Sequence, residues 1–218
     1  MLKIKSFMFN LFQENTYLVW CDETNECAVI DPGCSNDSEN SVLKNFIEGN
    51  NLTVKYLLNT HCHIDHVLGN KFVLDLYNPE YLVPEKDKIL LEHFDRQTEM
   101  IKMDVENPPI PEKLINENTE IKIGNLVPQF LFTPGHTQGE VCIYFKNEKV
   151  CITGDVLFQR SIGRSDLWGG DYETLLNSIE SKLMTLEDDV IIYPGHGNNS
   201  TIGEERKYNP FLSGINKI

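Results

Sequence analysis

At 218 residues, 40% apolar and 24% charged, the chain has material for one sizeable core, and this ordinary balance excludes disorder and low complexity. Its formal net charge of −14 repels phosphate backbones and sets nucleic acid aside as a partner. No apolar run approaches the roughly 20 residues that cross a bilayer, and Met1–Asn15 holds neither a signal-peptide core nor a cleavage site. The expectation is therefore a cytoplasmic protein, off the membrane, folding as a single domain over residues 1–218.

Along the chain, Thr16–Trp20 and Cys27–Ile30 are β-rich runs around the polar turn Asp22–Glu26, which predicts a hairpin ended by Asp31-Pro32-Gly33. Val42, Leu43, Phe46 and Ile47 recur at helical spacing as far as Gly49. Val54–Leu58 predicts a buried strand that leads straight into Thr60-His61-Cys62-His63-Ile64-Asp65-His66. Helix is predicted over Val67–Tyr77, a strand over Tyr81–Val83, a longer helix over Glu85–Met103, and a surface loop at Pro108, Pro109 and Pro111. Strand signals follow at Ile121–Ile123, Gln129–Phe132, Val141–Phe145 and Val150–Thr153. Tyr172, Leu175, Leu176, Ile179 and Leu183 form a helical stripe with Asp171 as N-cap, Val190–Tyr193 reads as a strand, and Thr201 with Glu204 fits a capping box. Strands and helices do not alternate strictly, which disfavours a doubly wound parallel sheet and favours packed sheets with outer helices.

The chain has six histidines, and three of them lie in His61-Cys62-His63-Ile64-Asp65-His66. Alternate residues of an extended backbone point the same way, so His61 and His63 can share one metal ion. Asp65 and His66 follow where the chain turns into helix and can face a second. His136 and His196 each stand after a strand and a Pro-Gly turn, which fixes where the imidazole points. Asp155 directly follows a buried strand, a costly place for a carboxylate without a cation. These ligands divide as His61, His63 and His136 on one ion, Asp65, His66 and His196 on the other, and Asp155 between them. Imidazole with carboxylate suits zinc first, and also iron or manganese. His93 lies on the exposed face of a predicted helix and is left out. The six cysteines contain no CxxC pair and read as reduced, buried thiols.

Thr60–His66, Thr133–Gly139, Gly154–Phe158, Gly163–Asp166, Pro194–Gly197 and Asn209–Leu212 together resemble the metallo-β-lactamase superfamily, and within it the glyoxalase II-like branch. The resemblance implies an α/β fold, a four-layer αββα sandwich, with a two-metal site along one edge of the sheets and the ligand division just given. Antibiotic-hydrolysing lactamases with two zincs typically lack the bridging aspartate and the histidine after Asp65, so β-lactamase activity is not expected. The matching pieces end at Asn209–Leu212, which implies a short form without the C-terminal helical region that holds glutathione in full-length glyoxalase II.

Two such ions can lower the pKa of a shared hydroxide that attacks a thioester, with Asp65 and Asp155 as the catalytic carboxylates. Arg164, Arg206 and Lys207 are the candidate contacts for an acidic small-molecule substrate. The alternatives are an iron-dependent persulfide dioxygenase, a lactone or ester hydrolase, and a non-catalytic metal-binding protein. The last fits least, because a structural zinc site closes with four ligands. No residue pattern speaks to oligomeric state.

Overall fold

The computed structural model describes residues 1–102 and 105–212. The chain forms two compact units, Met1–Val127 and Pro128–Ile218.

The first unit is built on a six-stranded sheet in the order β1 (Leu2–Phe9), β2 (Glu14–Cys21), β3 (Glu26–Ile30), β4 (Thr53–Leu58), β5 (Glu80–Pro84), β6 (Lys113–Ile115). β1 to β3 form an antiparallel meander, and β3 to β6 run parallel. The predicted hairpin is β2–β3, in register from Tyr17↔Ile30 to Trp20↔Cys27. Between the parallel strands lie α1 (Asp37–Gly49), α2 (Ile64–Val67), α3 (Asn70–Tyr77), α4 (Lys88–Glu92) and α5 (Phe94–Ile101). Asn36 caps α1 by accepting the amides of Ser38 and Glu39. Leu18, Val29, Leu57 and Val83 from the sheet share a core with Leu43, Ile47, Val73, Leu91 and Phe94 from the helices.

Three expected elements differ. Val67–Tyr77 is not one helix, because the chain turns at Gly69, whose amide donates to Pro32 O at 2.7 Å. The stretch from Glu85 is a 3₁₀ turn followed by α4 and α5, broken at His93 where φ is −118° and ψ 35°; Met103 lies outside the described residues. Ile121–Ile123 is no strand: Ile123 bridges Leu126 across a tight turn in which Gly124 takes φ +57°.

The second unit carries a five-stranded sheet in the order β13, β12, β9, β8, β7. These are β7 (Gln129–Phe132), β8 (Val141–Phe145), β9 (Val150–Gly154), β12 (Ile191–Pro194) and β13 (Ser200–Thr201). A small ribbon, β10 (Leu157–Phe158) with β11 (Ser161–Ile162), follows β9. α6 (Tyr172–Ser178) continues as a π-helical stretch, Ile179–Leu183, and α7 (Ile202–Tyr208) closes the unit. Asp171 caps α6 as expected, accepting Thr174 N at 2.8 Å. The capping box at α7 is half made. Thr201 accepts Glu204 N at 3.2 Å, but the Glu204 carboxylate turns away to Arg160 Nη2 at 2.7 Å. Cys142, Cys151 and Ile192 pack against Leu175, Ile179, Leu183 and Ile202. Mixed sheets with interspersed helices make the fold α/β, the class read from the sequence.

Candidate metal centre

In the first unit β3 and β4 end side by side. Asp31, one residue past β3, takes a left-handed φ of 50° and donates its amide to Leu58 O at 2.9 Å. Its buried carboxylate accepts Thr60 N and Thr60 Oγ1, each at 2.7 Å. The Thr60 hydroxyl has one proton, and Asp31 takes it. His61 Nδ1, 3.1 Å from Thr60 Oγ1, must therefore be the donor in that pair, which leaves the lone pair on Nε2. His66 Nδ1 stands 3.2 Å from Asp31 Oδ2, and its Nε2 faces Asp65 Oδ2 at 3.7 Å. The His61 ring centroid is 4.9 Å from that of His63 and 4.1 Å from that of His66.

The backbone around these residues is fixed by side-chain amides. Asn59 donates to His66 O at 2.8 Å, and Asn10 donates to Asp65 O at 2.9 Å and Gly33 O at 3.0 Å. Buried Glu14 lies 4.0 Å from His66 Nδ1, and burial pushes its carboxyl well above the usual range although His66 pulls the other way. Gly33 is obligatory, since a Cβ there would stand 2.1 Å from Glu14 Oε2 and 2.6 Å from Asp65 O. Cys62 points into the core, and burial raises its thiol well above the ordinary value, so it packs rather than ligates.

The second unit brings His136, Asp155 and His196 together. His136 follows the Pro134-Gly135 turn, and Asp155 follows β9 after Gly154 at φ +49°. His196 follows β12. His136 Nδ1 meets Arg164 O at 2.6 Å; a carbonyl only accepts, so Nδ1 carries the proton and Nε2 the lone pair. That Nε2 lies 3.6 Å from Asp155 Oδ2, and His196 Nε2 lies 3.6 Å from the same oxygen. Asp155 N donates to the buried Glu140 carboxylate at 2.7 Å.

The donor set fits divalent metal. Nδ1 of His61 and His136 is held by an oxygen that leaves Nε2 as the ligand atom, the outer-sphere arrangement of metal-binding histidines. The Nε2–carboxylate separations of 3.6–3.7 Å exceed a hydrogen bond. They approach the about 3.4 Å between two atoms each about 2.0–2.1 Å from a tetrahedral ion.

Other expected residues sit elsewhere in the chemistry. Arg164 forms a two-pronged pair with Asp166, at 2.8 and 2.9 Å, and reaches the site through its carbonyl. Arg206 donates to Met184 O and Leu186 O, both at 2.9 Å, and pairs with Asp188. Lys207 Nζ lies 4.6 Å from the Tyr208 ring centroid. Sequence reasoning missed Asp31, Glu140 and Asn10. Asp31 carried a usable signal, since it follows a buried strand in the same way as Asp155.

A strand-end set of imidazoles and carboxylates on an α/β scaffold is the arrangement of a metal-binding protein. The chain belongs to the metallo-beta-lactamase superfamily, whose pattern matches residues 9–196. A Haemophilus influenzae protein named hydroxyacylglutathione hydrolase GloC is 39% identical over 218 residues, covering 97% of this chain and 99% of the relative. The crystal structure of the BLEG-1 B3 metallo-beta-lactamase matches with a TM-score of 0.89 at 32% identity, over 97% of this chain and all of that one (100%). TTHA1623 in a di-iron-bound form matches at 0.83 and 31% identity, over 95% and 100%. Among the described residues no helix is long and apolar enough to cross a membrane.

Proposed function

We propose that this chain is a dinuclear metallohydrolase of thioesters, of the hydroxyacyl-thiol kind named for its Haemophilus relative. His61, His63 and His136 hold one ion, Asp65, His66 and His196 the other, and Asp155 serves both. The observation that carries this reading is the pre-set histidines: His61 and His136 each have Nδ1 committed to an oxygen and present Nε2 as donor. Zinc suits this set, and the di-iron form of a relative makes iron its competitor. The six free, buried cysteines accord with a cytoplasmic enzyme.

Two divalent ions, when bound, supply a hydroxide at neutral pH and polarise a carbonyl. The chain's own part is to hold the donors rigid and to manage protons. Asp65 Oδ2, on a side chain 14% exposed and next to buried His66, is placed to orient the attacking water and accept its proton. The Thr60 hydroxyl and the Arg164 carbonyl keep the proton on Nδ1 of His61 and His136, so neither imidazole turns over during the reaction. A thiolate leaving group has a pKa near about 8.5 and needs no general acid.

Metal analysis of protein purified without added metal, followed by a panel of thioesters, lactones and a chromogenic β-lactam, tests the reading. About two ions per chain and preferential thioester turnover are expected. A replete protein that holds one ion, with Asp65, His66 and His196 uncoordinated, sinks the dinuclear assignment, and preferential β-lactam turnover sinks the substrate class.

A further inference from the structure

The β10–β11 ribbon and the residues that flank it meet every proposed ligand of the second unit. Asp155 stands at its entrance. The Phe158 ring meets the His196 ring edge-on, with centroids 6.3 Å apart. At its exit Gly163 N donates to Val156 O at 3.1 Å, and Gly163 packs so closely on Asp155 that a Cβ would lie 1.8 Å from Asp155 O. The next residue supplies the carbonyl that orients His136.

The tip of this ribbon is gripped from α7. Arg160 takes a left-handed φ of 61°, which a non-glycine residue holds only when its surroundings impose it. Its amide donates to Glu205 Oε2 at 2.7 Å and its Nη1 to Glu205 Oε1 at 3.2 Å. Glu205 is fully buried and also accepts Ser200 Oγ and Asn209 Nδ2, so its carboxylate is satisfied on both oxygens. Asn209 Nδ2 reaches past it to Ser161 O at 3.0 Å, holding the other side of the tip. The Arg160 guanidinium also lies 4.8 Å from the Tyr208 ring centroid and pairs with Glu204.

We infer that Glu205, Arg160 and Asn209 form a clasp that positions the metal ligands of the second unit, so that the last helix controls metal affinity without contributing a ligand. This explains the Asn209–Leu212 motif, which the ligand assignment leaves without a task. The clasp fixes the tip, the ribbon transmits that fix to its base, and at the base the Arg164 carbonyl and the Asp155 backbone take their places. A loosened tip lets Arg164 O drift from His136, and the imidazole loses the partner that sets its tautomer.

The inference rests on the metallohydrolase reading, and two measurements keep their failures apart. The variants are Glu205→Gln, which puts an amide donor among four donors, and Arg160→Asn, which tolerates the left-handed backbone and removes only the guanidinium. Zinc affinity is read by chelator competition, and the His136 Nδ1–H by ¹⁵N NMR on metal-free protein. The expected result is a roughly 10-fold weaker zinc affinity in both variants, with the His136 signal broadened or lost while circular dichroism stays native. If Glu205→Gln fails to fold, Arg160→Asn decides alone. Parental zinc affinity with an intact His136 signal overturns the clasp, as does lower thermal stability with both readouts unchanged, which would make it structural only. Were the parent itself to bind no zinc, the metallohydrolase reading would fall, and the His136 signal would still decide the clasp.

Discussion

Asp31 does more for the candidate metal centre than its position outside the ligand set suggests. One carboxylate takes the Thr60 amide and the Thr60 hydroxyl and stands 3.2 Å from His66 Nδ1, and through the hydroxyl it also dictates the His61 tautomer. Asp31→Asn keeps the shape but replaces one acceptor oxygen by a donor, which cannot accept the Thr60 amide on one side and the Thr60 hydroxyl on the other. We expect the variant to remain folded and to lose about 10–100-fold in metal affinity, as outer-sphere partners of ligating histidines do. Chelator competition measures it, and an affinity within about two-fold of the parent would mean that His66 is oriented by something else. The proposed ligands can be read from local pattern, with His61 to His66 on one strand exit and His136, Asp155 and His196 each after a strand. Asp31 escaped because its role exists only through Thr60, 29 positions away, and a carboxylate after a strand reads the same with or without that partner. Glu140 escaped likewise, since its partner is the Asp155 amide 15 positions on.

At the scale of elements, periodicity found the strands and helices that bury one face and missed the interruptions that tertiary contacts impose. β1 went unread because it is a sheet edge whose outward residues, including Lys3, Lys5 and Ser6, leave an irregular burial pattern. Gly69 is the sharper case. Read as the interior of one helix over Val67–Tyr77, it would be a defect, and Gly69→Ala would stabilise by up to about 1 kcal/mol. The structure reverses that sign. An alanine Cβ would stand 2.3 Å from Cys34 Sγ and 2.9 Å from Pro32 O, the carbonyl that Gly69 N already binds. Overpacking of this kind costs about 1–3 kcal/mol. Urea denaturation of Gly69→Ala should therefore show a lower midpoint with an unchanged slope, and a raised midpoint would restore the continuous helix. The same close approach holds Pro32 beside the α2–α3 turn, which follows directly on the metal-binding segment, so the substitution is also expected to loosen His66.

For the whole molecule the governing quantity is the net charge of −14. Two bound divalent cations would leave the chain near −10, taking two charges from each ion. The candidate cations Arg164 and Arg206 are each paired with an aspartate. On the proposed function, an anionic acyl-thiol would approach against the field of the whole protein and be drawn in only at short range, near the bound ions. Long-range repulsion and short-range attraction separate with ionic strength, because the Debye length shrinks from about 30 Å at 0.01 M to about 8 Å at 0.15 M. Repulsion acting across about 25 Å disappears over that range, while contacts inside the site are hardly screened. At low salt it amounts to about 0.7 kcal/mol for each negative charge on the substrate. The kcat/KM for S-D-lactoylglutathione should therefore rise by about two- to ten-fold as salt is raised, with most of the change in KM, while a neutral thioester stays flat. A kcat/KM that falls with salt would mean that attraction governs recognition. In that event Lys207, or a cation still paired in this structure, would have to open toward the substrate, and a charge-removing scan of Arg164, Arg206 and Lys207 would identify it by abolishing the salt dependence.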